Sequence, residues 1–427
     1  MDNLADLLSR AARRYSARTA LSCGDASLDY AALDQAVART SAGFARLTEP
    51  GDRIAIFSDK RLETVVAFFA AARAGCLAVP INPLLKPAQA TRIMADCSAR
   101  LLVTTPGRLA LLAERLLTLP GLQEVVVLEE APAMPGAAFR TRGWSSLQQD
   151  SGPGTAHRTI DVDPAAILYT SGSTGAPKGV VLSHRNLLAG ARSVAQYLTL
   201  SAEDRILTAL SLSFDAGLSQ VTTAIQVGAQ CDLLTYIRPQ MVANRCAELG
   251  VTVLTGVPPL WQDLAGCDWP QPARDSLRLF ANTGGHMPEP LLTRLRTLFP
   301  KAAPYLMYGL TEAFRSSYLD PAEIDHRPTS VGKAIPGAEL LVVDERGRHC
   351  APGEKGELVH RGALVALGYW GRPKETAERF RPAPGRAEEL CLSEPAVWSG
   401  DIAYRDEEAS STLSDVATAS SRRPGSG

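Results

Sequence analysis

AAILYTSGSTGAPKGVVLSHRNL, residues 165–187, is the stretch on which the fold turns. Its apolar opening, Ala165 to Tyr169, has the length and β-propensity of a buried strand. The strand empties into Thr170, Ser171, Gly172, Ser173, Thr174 and Gly175, hydroxyl and glycine residues without bulk. Pro177, Lys178 and Gly179 follow, and a second apolar strand runs from Val180 to Leu182. Glycines let backbone N–H groups turn inward, hydroxyls add donors and Lys178 adds positive charge, so the segment predicts a nest for a polyphosphate. It is not the P-loop pattern, because Lys178 sits three residues after Gly175 and precedes a glycine. A solvated Ser/Gly hairpin, the alternative, does not account for so long an ordered string.

On both sides of this stretch, apolar runs of strand length alternate with helical spacing. Upstream, the pattern predicts helices over 3–15 (capped by Asp2 or Asn3) and over about 30–47. It continues with strands at 53–57, 76–81, 100–104 and 124–128 and helices at 63–74, 86–99 and 107–118. Downstream, helices at 186–198, 217–227, 239–249, 259–265 and 288–299 alternate with strands at 205–210, 229–234, 251–257, 277–282 and 304–308. Such alternation means βαβ units and a mostly parallel sheet. Residues 130–164 are rich in Pro, Gly, Ser and Gln and mark a loop between two halves. From Ser330 the pattern changes to short strands with tight turns, AELLVVDERGR (338–348) and GEKGELVHRG (353–362), each hairpin-like. The expectation is an α/β lobe over 1–329, two stacked mostly parallel sheets with layered helices, then a small β-rich subdomain over 330–408.

Composition narrows the function. A net charge of −1 over 427 residues gives no electrostatic case for nucleic acid or an anionic membrane. The eight cysteines include no C-x-x-C pair and read as reduced thiols of a cytoplasmic protein. No cationic-then-apolar leader opens the chain, and the most apolar stretch, 65–79, is broken by Arg73 and Gly75 and too short to span a bilayer.

YTSGSTGAPKG (169–179) resembles the phosphate-loop signature of the adenylate-forming ligases, the superfamily of acyl-CoA synthetases, nonribosomal adenylation domains and luciferases. The resemblance runs from about residue 5 to Asp406. GVPPLW (256–261), MYGLTEAFRSSYL (307–319), VGKAIPGAEL (331–340) and HRGALVALGYW (360–370) are most similar to AMP-forming acyl-CoA ligases associated with exosortase A systems. The resemblance implies activation of a carboxylic acid by ATP to acyl-AMP, then thioester formation with CoA. It also implies a small β-barrel closing the large lobe.

Adenylation must hold a triphosphate with its charge neutralised, align a carboxylate with the α-phosphorus, and grip the adenosine. For the first need the candidates are Thr170, Ser171, Ser173, Thr174 and Lys178, with Gly172 and Gly175 permitting close approach; the resemblance puts Thr170 near Mg²⁺. MYGLTEA (307–313) is similar to the family's Tyr-Gly-x-Thr-Glu element. There Glu312 offers a hard carboxylate to Mg²⁺, Thr311 a donor to the α-phosphate, and Tyr308, beside Gly309, a ring for adenine. In NTGGHMP (282–288), Gly284 and Gly285 let backbone approach adenine and acyl group, with His286 a further candidate. In WSGDIAYRD (398–406), Asp401 is the ribose ligand by resemblance. For the acid pocket, SLSFDAGLSQ (211–220) and TGVPPLW (255–261) offer Phe214, Gly217, Val257, Pro258, Pro259 and Leu260. Asp215 fits the runner-up function, since amino-acid-activating relatives use an aspartate after phenylalanine for the α-amino group. His184 is read as either a gate to the acid side or a helix cap. The acceptor is CoA or, in the runner-up reading, a carrier protein.

The C-terminus departs from the family. A smaller domain carrying a catalytic lysine is expected after Asp406, yet the chain reads ASSTLSDVATASSRRPGSG (409–427), polar and without periodicity. Codons chosen for these residues, read one base out of frame, can spell GFLYLIGRRDGFIKTSGFR, which resembles the family's hinge. Residues 409–427 are therefore expected to be non-native, through a frameshift near codon 408, or else a disordered tail. Without the second domain, slow adenylation or a catalytically dead nucleotide-binding module is the expectation.

Overall fold

The computed structural model describes residues 3–132, 134, 136–149, 157–171, 177–385, 389–408 and 410–415. Two sheets form the framework. The first has eight strands in the order Gly368–Tyr369, Pro177–Ser183, Pro164–Ser171, Leu77–Pro80, Arg53–Phe57, Leu101–Thr104, Glu124–Val127, Arg140–Gly143. From Pro164–Ser171 to Arg140–Gly143 every pairing is parallel. Pro164–Ser171 and Pro177–Ser183 pair antiparallel, so the stretch that opened the sequence reading is a β-hairpin. The second sheet has six adjacent parallel strands, Ala303–Tyr308, Leu279–Asn282, Val253–Gly256, Arg205–Thr208, Gln230–Leu233 and Thr19–Cys23.

Alternation along each strand sorts side chains between two packing layers. Ile54 and Ile56 face a central core shared with Ile206, Val253 and Leu279 of the second sheet. Ala55 and Phe57 face outward onto another core with Leu102 and Val125. Helices Tyr30–Ala45, Leu62–Arg73, His184–Tyr197 and Asp215–Val227 contribute Phe44, Phe68, Phe69, Leu187 and Val221 to the central layer, so the sheets stack through helices. A third core, built on Trp261, Phe280, Leu295 and Phe299, covers the far face of the second sheet.

Beyond Ala303–Tyr308 the second sheet turns antiparallel through Ser317–Leu319, Ser330–Ala334, Ser411–Asp415, Pro395–Arg405, Gly356–Gly362 and Ala338–Val343. This is the β-rich region expected from Ser330, but it continues an open sheet and no closed barrel forms among the described residues. The two stretches read as separate hairpins are the two arms of one, with Ala338 opposite Gly362 and Val343 opposite Glu357.

Several elements escaped the sequence reading. The hairpin Thr19–Cys23 with Ala26–Asp29 is too short for periodicity to register. Within the expected 130–164 loop, Arg140–Gly143 adds an edge strand and Trp144–Gln149 a short helix anchored by buried Trp144 and Leu147. Within 409–427, expected as non-native or a disordered tail, Ser411–Asp415 is a paired strand. The first helix is capped by Asn3, whose Oδ1 accepts from the Asp6 N–H at 2.9 Å. No helix among the described residues is long and apolar enough to cross a membrane, and the eight cysteines are unbridged.

Candidate nucleotide and acid site

The hairpin register sets the phosphate side. Thr170 stands opposite Lys178 and Ser171 opposite Pro177 at the end of the ladder. Gly172, Ser173, Thr174 and Gly175 lie outside the described residues, as does the side chain of Ser171. Lys178 Nζ sits 5.3 Å from the centre of the Tyr369 ring, a cation–π approach. Tyr369 is held there by the edge strand Gly368–Tyr369, which pairs with Val181 and Val180.

The Tyr369 hydroxyl donates to Glu312 Oε1 at 2.5 Å, and Arg379 Nε lies 3.8 Å from the same oxygen. Burial and the neighbouring Glu312 charge push the Tyr369 hydroxyl well above its ordinary pKa, which keeps it a donor. Glu312 stands in the single turn Thr311–Ala313 directly after Ala303–Tyr308, with Thr311 half-buried beside it. Its carbonyl accepts from the Ala366 N–H at 2.9 Å, and Arg379 also donates to the carbonyls of Trp398 and Ser399. Two sequence motifs more than a hundred residues apart, one from each sheet, thus meet through Tyr369.

Tyr308, last in its strand, donates to Asp401 Oδ2 at 2.5 Å. Burial, then the Asp401 charge, raise the Tyr308 hydroxyl well above its usual range. Asp401 is itself buried, so the two predicted adenosine residues hold each other. Gly309 lets the chain pass closely: a Cβ there would lie 3.2 Å from Arg315 Cα.

The glycine turn after Leu279–Asn282 is closed by Asn282 Nδ2 donating to Gly285 O at 2.8 Å, with Gly284 at φ +72°. Gly284, Gly285 and His286 are exposed. A Cβ on Gly284 would come within 3.2 Å of Val257 Cγ1, and one on Gly285 within 3.1 Å of Pro258 Cγ. Val257 and Pro258 therefore face the turn, while Pro259 points to solvent and Leu260 is buried in the outer core.

Other pocket candidates sit differently from one another. Phe214 is exposed. Gly217 lines nothing by its own bulk: a Cβ would lie 1.9 Å from Ser211 O, so the residue lets a helix cross a backbone. His184 is buried at the start of its helix; its Nδ1 accepts from the Leu4 N–H at 3.2 Å, and burial lowers its pKa to about 4. Ser183, one residue earlier, is the cap of that helix, its Oγ accepting from the Asn186 N–H at 3.2 Å.

Asp215 opens the helix Asp215–Val227, and its Oδ2 is 3.4 Å from Arg315 Nη1. Burial raises the Asp215 carboxyl and Arg315 opposes the rise. Beside the pair lies a cavity of about 20 Å³, lined among others by Ser219, Gln220, Thr223, Thr255, Met307 and Arg315. Sequence reading missed Arg315, Tyr369 and Arg379. Arg315 and Tyr369 lie inside the quoted strings MYGLTEAFRSSYL and HRGALVALGYW without being singled out there, and Arg379 lies in none of them.

A match to the AMP-binding enzyme family covers residues 8–370. The feruloyl-CoA synthase of Amycolatopsis sp is 31% identical over 382 residues, 87% of this chain and 72% of that protein. The L-proline–[L-prolyl-carrier protein] ligase of Streptomyces coelicolor is 34% identical over 366 residues, 79% of this chain and 66% of that one. Among solved structures, VinN in complex with L-aspartate aligns over 96% of this chain and 98% of its own, with TM-score 0.80 and 26% identity. The match spans both sheets and reaches the Tyr369 contact, and with these relatives it places the chain in the AMP-binding enzyme family.

Proposed function

We propose that the chain takes part in ATP-dependent activation of a carboxylic acid, with transfer of the acyl group to a thiol. An oxygen of the acid's carboxylate attacks the α-phosphorus, the α–β bridging bond breaks, and pyrophosphate leaves. The thiolate of CoA then attacks the acyl carbonyl and AMP leaves. The observation that carries this reading is the meeting of Lys178 with Glu312 through Tyr369.

In this reading Lys178 and the Ser/Thr/Gly segment before it offset phosphate charge, Thr311 donates to the α-phosphate, and Tyr308 with Asp401 positions the adenosine. Asp401 serves the ribose through the lone pairs that Tyr308 does not use. The hydroxyl of Thr170 and the carboxylate of Glu312 are hard oxygen donors that fit Mg²⁺, an ion that keeps waters and shares phosphate oxygens. Bound there, it would neutralise triphosphate charge. No group of three or more His, Cys, Asp or Glu side chains gathers among the described residues, which suits an ion completed by substrate.

Lys178→Ala and Glu312→Ala should each weaken binding of ATP with Mg²⁺ by tenfold or more in calorimetry; unchanged affinity removes the assignment. Acid-dependent exchange of labelled pyrophosphate into ATP tests the chemistry. Binding of ATP with no acyl-AMP from fatty, aryl or amino acids would mark a nucleotide-binding module instead.

A second reading, an amino acid activated for a carrier protein, draws on Asp215 and on the prolyl-carrier ligase and L-aspartate-bound relatives. The proposal extends to residues 409–427 as out-of-frame sequence, with the hinge and second domain encoded in the neighbouring frame. In that frame Phe and Leu stand at 410 and 411, where buried Ser410 and Ser411 now fill the sheet. Resequencing codons 400–427 decides it: an intact frame with nothing hinge-like overlapping sinks the proposal.

A further inference from the structure

Arg379 stands where the two halves of the candidate site join. It ends the helix Pro373–Arg379, which is docked on the strand bearing Tyr369. Thr376 Oγ1 accepts from the Tyr369 N–H at 3.0 Å, and a Cβ on Gly368 would lie 2.6 Å from Thr376 Cγ2. Phe380, the next residue, sets its ring edge-on to Tyr369 with centres 5.6 Å apart and pairs with Val397. Held from both sides, the Arg379 guanidinium reaches in two directions. Nη1 donates to the Trp398 carbonyl at 2.9 Å and to the Ser399 carbonyl, two residues before Asp401. Nε lies 3.8 Å from Glu312 Oε1. The Arg379 charge opposes the rise in the hydroxyls of both Tyr369 and Tyr308, so it acts on the Glu312 side and the Asp401 side alike.

A clasp on two carbonyls accounts for Nη1 and nothing more. The buried Nε has no hydrogen-bond partner among the described residues, and a buried donor left bare is costly. A bare Nε recurs at Arg108, Arg372 and Arg381, but each of those guanidiniums has a carboxylate within 3.1 Å of another nitrogen. Arg379 has none so close. The oxygen nearest to it, Glu312 Oε1, is already taken by the Tyr369 hydroxyl at 2.5 Å.

We propose that Arg379 is a ligand of the nucleotide's α-phosphate. In the reading above, Asp401 holds the ribose and Glu312 meets the ion that shares the triphosphate's oxygens. The α-phosphate is the unit that joins ribose to the outer phosphates, and Arg379 spans the same interval, from the segment before Asp401 to Glu312. A phosphate oxygen accepting from Nε gives the bare donor a charged partner. The guanidinium also separates two anions, phosphate and Glu312, that would otherwise repel each other. Thr311 supplies a neutral donor to that phosphate, and Arg379 adds the positive charge. The inference rests on the ligase reading and gives its nucleotide a ligand which that reading did not use.

Calorimetry on the full chain in EDTA, with adenosine, AMP and ATP, tests it, since the three share a nucleoside and differ in phosphate. AMP should bind at least tenfold tighter than adenosine. Arg379→Gln should weaken AMP and ATP by tenfold or more and leave adenosine within about twofold, a split that loss of packing does not produce. Arg379→Lys keeps the charge without the planar fork and should retain part of the AMP margin; it stands in if the glutamine variant does not fold. AMP unchanged in Arg379→Gln, or adenosine falling as far as AMP, overturns the inference alone. So does tighter binding of ATP with Mg²⁺ by that variant, which would make Arg379 a counter-ion of Glu312 only. Failure of all three ligands to bind the unsubstituted chain overturns the ligase reading, and the inference with it.

Discussion

Tyr369 gives the site two separable contacts. Its ring faces the Lys178 ammonium, while its hydroxyl takes one oxygen of Glu312. Tyr369→Phe keeps the first and removes the second, so Glu312 loses a restraint on the side proposed to meet Mg²⁺. We expect the Mg²⁺ dependence of ATP binding to shift three- to tenfold in this variant, with ATP affinity in EDTA unchanged; a shift of both equally would point to a general packing effect. Two buried histidines act at the same scale on stability. His184 and His360 are lowered to about 4 and about 3, burial being the main cause for each. The unfolded chain binds these protons near pH 6.5 and the folded chain only far below, so their contribution is present above 6.5 and lost as pH falls. Urea midpoints should drop between pH 6.5 and 4, and His360→Asn should flatten the profile; a midpoint independent of pH would refute this. Lys178 and Glu312 were singled out from the strings they stand in, and both are found at Tyr369. Arg315 was not, because its meaning comes from Asp215, one hundred residues away.

Helices and strands were legible where they carry long apolar runs: the helix Leu62–Arg73 is buried from Thr64 to Ala72 and the strand Arg53–Phe57 from Ile54 to Phe57. Arg140–Gly143, with no buried residue, is a strand only because Glu124–Val127 offers an unpaired edge. Sequence cannot show such an edge. The helix Asp215–Val227 adds a constraint that reads as composition until the fold is known. Its Gly217 lies where a Cβ would meet Ser211 O at 1.9 Å, and backbone cannot yield cheaply. Gly217→Ala should therefore destabilise the protein by about 3 kcal/mol in urea titration. A loss under about 1 kcal/mol would mean that the loop before the helix gives way.

Across the molecule, the two sheets are joined by more than the apolar layer between them. Lys60, in the loop after Arg53–Phe57, donates to the carbonyls of Thr208, Ala209 and Leu210 at 2.8, 2.7 and 3.1 Å. These carbonyls end a strand of the other sheet and lead into the segment bearing Phe214 and Asp215. Lys60→Met leaves three acceptors short of a donor and should cost about 2 kcal/mol or more in denaturant titration; an unchanged midpoint would show that water replaces the ammonium. The stacking of two sheets was legible from alternation, but no single segment carries the information that Lys60 bridges them.

The strand Ser411–Asp415 has its own consequence. It is seated between Ser330–Ala334 and Pro395–Arg405 by backbone pairing, with Ser411 buried and Leu413 packed against the core of Leu340, Val342 and Leu358. A ladder of peptide groups does not inspect the message that encodes its neighbour. The sheet therefore asks little of the residues after Arg405, an extended backbone and one apolar side chain at Leu413, so many sequences satisfy it.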